Sequence, residues 1–246
     1  IDYEDKETGM VTSTNASFYD TDGGFSKTAL KSMELVEGIR VLNYNARVST
    51  HKLAWNGMEQ SEYYREAVDE VTKVYGMNGG YWQYDDKYGE LFTEIYCSNY
   101  DDIWEAFPNN IRWDGADRKR FESGEQVLVL FNTEETDSSL TAGTVIHIPT
   151  ASGNIDVEAA AVGTPANVSD GVPYGGKYYT IYGSEALGER IAAADGKEFK
   201  YTQAEFIFDN YRDAEFTAQQ LSIIAVRNGG SYTSRYGELK NQYKSI

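Results

Sequence analysis

The chain has 246 residues, a mass of 27.6 kDa, a formal charge of −17 and a pI near 4.5, enough for one large domain or two small ones around a buried core. That charge excludes a nucleic-acid binder, which needs clustered Lys and Arg against phosphates, and an aromatic content of 14%, with 20 Tyr and 4 Trp, excludes a disordered acidic chain. One cysteine excludes an internal disulfide framework, and the longest apolar runs, VLVLF and LSIIAV, fall far short of the roughly 20 residues a membrane helix needs.

The first fifty residues read as strand, helix, strand. MVTSTNASFY is rich in Thr and aromatic residues; Ser26 can cap a helix that places Leu30, Met33 and Val36 on one side and stops at Gly38. Leu42, Tyr44, Ala46 and Val48 then alternate with Arg40, Asn43, Asn45 and Arg47, the pattern of a half-buried strand. The opening IDYEDKETGM carries no initiator Met and no leader signature, which predicts a piece of a longer protein.

The middle is predicted to be β-rich. EQSEYYREAVDEVTKVYG suggests a helix ending near Gly76, and YGELFTEIYC, EQVLVLFN, GTVIHIP, IDVEAAAVG and KYYTIYG suggest strands separated by Gly, Asn and Asp turns. SEALGERIAAADG adds a short helix capped by Ser184.

The last fifty residues repeat the opening order. EFKYTQAEFIFD is a strand with Ala204, Phe206 and Phe208 on one face, Asp209 or Asn210 can cap the helix that follows, and Ala214, Ala218, Leu221 and Ala225 recur along it at helical steps. NGGSYTSRY gives a turn and a short strand, and GELKNQYKSI a final polar helix. The expected fold is α+β: residues 1–50 and 198–246 form one ferredoxin-like subdomain from two β-α-β halves, and 51–197 form a β-rich inserted subdomain.

Candidate chemistry is sparse. YDTDGG, Tyr19 to Gly24, starts like a calcium loop at Asp20 and Asp22 but has Lys31 where the bidentate Glu belongs. Asp85–Asp86, Asp101–Asp102 and Glu134–Glu135 are adjacent carboxylates, which on a strand point to opposite faces and so do not form a glycosidase pair by themselves. His51 and His147 have no partner at metal-ligand spacing, there is no G-x-S-x-G, and Gly79–Gly80 and Gly229–Gly230 lack a nucleotide-loop context. Cys97, in an alternating apolar run, reads as a small buried hydrophobe. The expectation is a protein that is not an enzyme, with no catalytic, cofactor-binding or metal-binding residue.

The order of segments carries more. NASFYDTDGGFSKTAL, WDGADRKRFESGEQVLVLF with Phe121, Ser123 and Gly124 ahead of an apolar strand, AGTVIHIPTASGNIDVEAAAVG, and SYTSRYGELKNQYKSI resemble, in sequence, the segments of the extracytoplasmic domain of FtsX-like ABC transporter permeases. That group includes the MacB-like periplasmic core domain, and the likeness is to the Gram-positive type. It covers nearly the whole chain except about Met58 to Tyr88. The resemblance implies a non-catalytic domain on the extracellular face of the cell membrane, set between two transmembrane helices. Such a domain relays ATP-driven movement or binds an exported or sensed molecule.

Its implied partners are its own transmembrane helices and, through the membrane part, an ATPase subunit on which alone ATP is expected; a second permease copy and a peptide, lipid or protein substrate complete the set. An acidic surface of this kind would draw cationic peptides over long range. Arg227, Arg235, Lys240 and Lys244 against Glu238 form a local positive excess that suits anionic headgroups. The alternative is a secreted carbohydrate-binding module or glycoside hydrolase, in which Trp55, Trp82, Trp104 and Trp113 would stack on sugars.

Overall fold

The computed structural model describes residues 8–13, 24–77, 92–106, 111–112, 115–131, 135–163, 179–209 and 214–234. In chain order these form β1 (Thr8–Ser13), α1 (Lys27–Glu34), β2 (Ile39–Lys52), β3 (Ala54–Trp55), α2 (Glu62–Met77), β4 (Phe92–Cys97), α3 (Tyr100–Ala106), β5 (Ile111–Arg112), α4 (Arg118–Glu122), β6 (Gln126–Phe131), β7 (Val145–Thr150), β8 (Gly153–Gly163), β9 (Tyr179–Gly183), α5 (Glu185–Ala194), β10 (Gln203–Phe208), α6 (Ala214–Arg227) and β11 (Gly230–Ser234). The class is mixed, α+β as expected. None of the described helices is long and apolar enough to cross a membrane.

The chain divides into two compact units, Ile1–Arg47 with Lys197–Ile246, and Val48–Gly196. In the first, the strand order is β11-β1-β10-β2 and every neighbouring pair is antiparallel. Ser26 starts α1 by accepting the Ala29 amide at Oγ, 3.2 Å away, which satisfies one of the donors a helix start leaves open. Ala29, Leu30 and Met33 are the buried face of α1; Ala204, Phe206 and Phe208, two residues apart on β10, are buried together.

The exit of α1 is fixed by a close approach. Gly38 has φ +88°, and a Cβ there would lie 2.8 Å from Thr217 Oγ1, whose hydroxyl donates to the Glu37 carbonyl at 3.1 Å. On α6, Thr217, Leu221 and Ala225 turn inward, and the helix packs on β1 and β11 and touches α1. The end of α1 and the start of α6 therefore meet.

In the second unit the order is β4-β9-β6-β8-β7-β3, with β5 added to β8. β4 with β9 and β6 with β8 are parallel, while β6 with β9, β7 with β8 and β3 with β7 are antiparallel. All six residues of β6 are buried, as in a strand covered on both faces. One cover is aromatic: Tyr63 of α2 meets Phe131 and Tyr179 edge-to-face at 5.1 and 5.2 Å, and Trp55 meets Tyr179 at 5.3 Å. The other is the cluster of Ile103, Phe121, Leu128, Leu130, Ala160 and Ala161, to which α3 and α4 contribute.

Two helices in this unit escape the sequence pattern. α3 and α4 are 7 and 5 residues long, too short to show a helical period, and α4 lies within the segment WDGADRKRFESGEQVLVLF, just ahead of its apolar strand. The expected final polar helix and the cap at Asn210 lie outside the described residues.

Candidate functional site

Three arrangements in the fold bring functional groups together, and the first is the pair of chain ends. Gly9 of β1 and Ser234 of β11 are register partners in an antiparallel pair, so the chain comes into the first unit and leaves it side by side at one end of the sheet. Thr8 also pairs with Ile207, and Ile39 follows on opposite Phe208, which places the end of α1 and the start of α6 at that same end. Arg227 does not lie there: it precedes the turn into Gly230, at the opposite end of β11. The basic run is thus divided, with Arg227 a strand length of about 17 Å from Ser234; Arg235, Lys240 and Lys244 lie outside the described residues.

The second is the segment around α4. Asp117 caps the helix by accepting the Arg120 amide at 3.1 Å. Arg118 forks onto Asp101 at 2.9 and 2.8 Å and reaches Glu122 at 2.7 Å; Arg120 forks onto Glu158 at 3.3 and 3.2 Å and reaches Glu125 at 3.3 Å. The hydrogen bonds to Glu122 and then Asp101 hold the Arg118 guanidinium more firmly protonated than usual, and those to Glu158 and then Glu125 do so for Arg120. The Arg120 hydrogen bond in turn pulls the Glu158 carboxyl below its ordinary range, against a smaller opposing effect of burial.

Beneath these pairs Gln126, fully buried, donates to Glu158 at 2.9 Å and accepts the Asp117 amide at 2.9 Å. Gly124 ends the segment with φ +79°, and a Cβ there would sit 2.9 Å from the Leu187 amide nitrogen at the start of α5. Arg190 of α5 donates to the Gly124 carbonyl at 2.9 Å. Arg118 and Arg120 are both engaged by carboxylates, so the geometry locks α4 onto β6, β8 and α5.

The third is a buried polar group that the residue pattern did not reveal. Asp137, 1% exposed, accepts from the Ser139 amide at 2.8 Å, the Ser139 hydroxyl at 2.6 Å and the Tyr179 hydroxyl at 2.7 Å. Trp55 Nε1 donates to Ser139 Oγ at 2.9 Å. Burial, followed by the neighbouring Asp137 carboxylate, raises the Tyr179 phenol well above its ordinary value. The Ser139 proton is directed at a carboxylate inside an aromatic wall, with no imidazole to take it onward, so the network fixes the loop 135–140 rather than preparing a nucleophile.

The residues considered for chemistry fall apart in space. His147 sits on β7 directly opposite Asp156 of β8, its Nδ1 2.6 Å from Asp156 Oδ1, and among the described residues no group of three or more His, Cys, Asp or Glu could hold a metal. His51 lies in β2, and Asp101 and Asp102 lie in the first turn of α3, where Asn99 donates to Asp102 and Arg118 takes Asp101. Ser184 caps α5 by accepting the Leu187 amide at 3.3 Å, and Cys97 is buried. Trp55 is buried at 6% exposure, which removes it from sugar stacking; Trp104 lies in α3. Asp20, Asp22, Gly79, Gly80, Trp82, Asp85, Asp86, Trp113 and Glu134 lie outside the described residues.

No protein-family model and no curated protein matches this sequence. Solved structures do match. The extracellular domain of the noncanonic ABC-type transporter YknZ from Gram-positive bacteria is similar over 92% of this chain and 98% of its own, with a TM-score of 0.50 at 11% identity. The periplasmic region of MacB from Actinobacillus actinomycetemcomitans is similar over 97% of this chain and 93% of its own, with a TM-score of 0.53 at 8% identity. At such identities the likeness is one of fold, and it extends over whole chains on both sides. The fold of this chain is that of the extracytoplasmic domains of ABC-type transporters, as the order of its segments implied.

Proposed function

We propose that this chain is a non-catalytic extracytoplasmic domain of an ABC transporter permease, held between two transmembrane helices on the extracellular face of the cell membrane. The observation that carries this reading is the pairing of Gly9 with Ser234. A domain looped out between two neighbouring membrane helices has to receive and return its chain at one place, and adjacent antiparallel strands do that.

The unit built from both chain ends is then the membrane-proximal one. Its order β11-β1-β10-β2, with α1 after β1 and α6 after β10, supports a ferredoxin-like description with residues 51–197 as the inserted subdomain. Charge supports the same orientation. The inserted unit holds 25 Asp and Glu against 10 Lys and Arg, whereas the unit of the chain ends holds 14 against 12 and is not repelled by anionic headgroups.

In this role the domain needs no cofactor. ATP is hydrolysed on a separate subunit coupled through the membrane part, and the domain relays that movement, receives a peptide, lipid or protein cargo, or meets a second permease copy. The locked α4 segment and the closed Asp137 network suit a body that transmits displacement without deforming. The carbohydrate reading is weaker because Trp55 is inside the fold.

Reading the parent gene tests the proposal: an apolar run of about 20 residues is expected before Ile1 and another after Ile246. A cleavable signal before Ile1 together with a stop shortly after Ile246 would sink it.

A further inference from the structure

Asparagine precedes glycine at Asn56–Gly57, Asn78–Gly79 and Asn228–Gly229, and the second of these pairs lies outside the described residues. Before glycine an asparagine side chain is open to attack by the backbone that follows it, because glycine has no Cβ to shield its nitrogen or to restrict the turn of the peptide. The fold treats the two described pairs differently.

Asn228 is held on every side. Its side-chain amide donates to the Ile224 carbonyl at 2.8 Å, its backbone N–H to the Ala225 carbonyl at 3.0 Å, and the Gly229 N–H to the Val226 carbonyl at 3.1 Å. The attacking nitrogen and the amide it would attack are thus both tied to the last turn of α6. Asn56, by contrast, is exposed in the turn that leaves β3. Among the described residues no hydrogen bond engages its side chain or the Gly57 N–H; only the Gly57 carbonyl is used, accepting the Gln60 amide at 3.2 Å. The turn itself demands the glycine, whose φ is +84°.

We infer that Asn56 is a site of spontaneous deamidation in the folded protein, and that Asn228 is protected. The inference stands apart from the proposed function. The Gly57 nitrogen gives up its proton to water and attacks Asn56 Cγ; a C–N bond forms, the side-chain nitrogen takes a proton and leaves as ammonia, and a five-membered succinimide closes. Water then adds to one of the two ring carbonyls. Cleavage at Cγ gives aspartate, and cleavage at the backbone carbonyl gives isoaspartate, in which the main chain runs through Cβ and Cγ. The sum is an amide and water converted to a carboxylate and ammonium, with nothing oxidised or reduced.

Isoaspartate strains this turn because both flanks are fixed. Trp55, 6% exposed, pairs with Ile146 of β7 and donates to Ser139 Oγ, and Met58 is 3% exposed. A Cβ on Gly57 would touch Ser139 Cβ at 3.4 Å. An extra backbone methylene between Trp55 and Met58 therefore has to be taken up against the loop 135–140 and its Asp137 network.

The test incubates the purified protein in mildly alkaline buffer, folded and in parallel in urea, and follows positions 56 and 228 by peptide mapping with mass spectrometry. In the folded protein conversion at 56 is expected to be about tenfold faster than at 228, the factor added by breaking two hydrogen bonds of ordinary net strength. In urea the two rates should draw together. Equal rates in the folded protein, faster conversion at 228, or the same ratio with and without urea would overturn the inference. The isoaspartyl fraction, isolated by chromatography, should unfold at lower urea than Asn56→Asp, which carries the same charge without the extra methylene. Coincident midpoints would overturn the structural consequence, showing that the turn absorbs the methylene without disturbing Ser139.

Discussion

Gly9 and Ser234 face each other across the antiparallel pair of β1 and β11, so residues 225 positions apart in sequence are neighbours at one end of a sheet. Antiparallel partners lie about 4.5–5.5 Å apart at Cα. A protein carrying Gly9→Cys and Ser234→Cys is therefore expected to be joined efficiently by a short bismaleimide. Gly9→Cys with Gly230→Cys, four residues or about 13 Å further along β11, should react poorly. Equal yields for the two pairs, read by mass spectrometry, would contradict the register and with it the observation that carries the proposed function.

Gly124 tests whether the α4 segment is seated by contact with α5. An alanine there meets two costs: a left-handed φ of +79°, and a Cβ 2.9 Å from the Leu187 backbone nitrogen, which cannot yield without moving α5. Together these predict a loss of about 2–4 kcal/mol for Gly124→Ala in urea unfolding. Gly143 has φ +89° with nothing near its Cβ position, so Gly143→Ala should lose only about 1–2 kcal/mol. Similar losses for both would mean that the approach of α5 contributes nothing.

Much of this fold was readable because the elements that bury a face announce it. Ser26 and Ser184 sit where a side-chain oxygen can take a helix-start amide, and both do; Ala204, Phe206 and Phe208 alternate on β10 and are buried together. The parts that were not readable depend on partners distant in sequence. Asp137 looks like any loop acid until Tyr179, 42 residues on, and Trp55 are folded over it. His147 gains Asp156 only through the register of the β7–β8 hairpin, which the tight turn at Ala151–Ser152 would have supplied had its centre been fixed from sequence. The packed face of α6 was readable too, since Ala218, Leu221 and Ala225 recur at helical steps and Leu221 and Ala225 are buried.

Asp137 predicts a graded response. Asp137→Ala leaves the Tyr179 hydroxyl and both Ser139 donors without their acceptor inside an aromatic cluster, and should cost about 3–5 kcal/mol. Asp137→Asn keeps the shape and one acceptor oxygen and should cost about half as much. Urea unfolding followed by tryptophan fluorescence reads both, since Trp55 is tied to the same group through Ser139. An alanine variant as stable as the parent would show that the network holds nothing in place.

Glu158 predicts the acid limb of stability. Its carboxyl is pulled below the ordinary value of 4.5, chiefly by Arg120, so the folded state binds its proton less readily than the unfolded state. The contribution is present above about pH 4.5 and is lost as pH falls through the lower folded value. Because Arg120 is exposed, solvent screening keeps the effect small. Glu158→Gln should flatten the dependence of the urea midpoint on pH below about pH 4.5. In the parent protein, 1 M salt should weaken it too. A pH dependence unchanged by both would remove the Arg120 pair from the account.

Cys97 gives the alkaline counterpart. It is 2% exposed, and burial pushes its thiol from 9.0 up to about 12, so in the folded protein it stays neutral where an exposed cysteine would be ionised. A thiol reagent at about pH 8 should then label it only through unfolding, at a rate that rises with urea. The same shift has a stability consequence of opposite sign to that of Glu158. Since the folded value is raised, the contribution is complete below pH 9.0, where the unfolded thiol is also protonated, and is lost as pH climbs towards about 12. Cys97→Ala should leave a small packing loss at neutral pH and a shallower decline in stability above pH 9.0. Rapid labelling of the folded protein without urea would show instead that the β4 strand opens on its own, and that Cys97 is not held inside the unit.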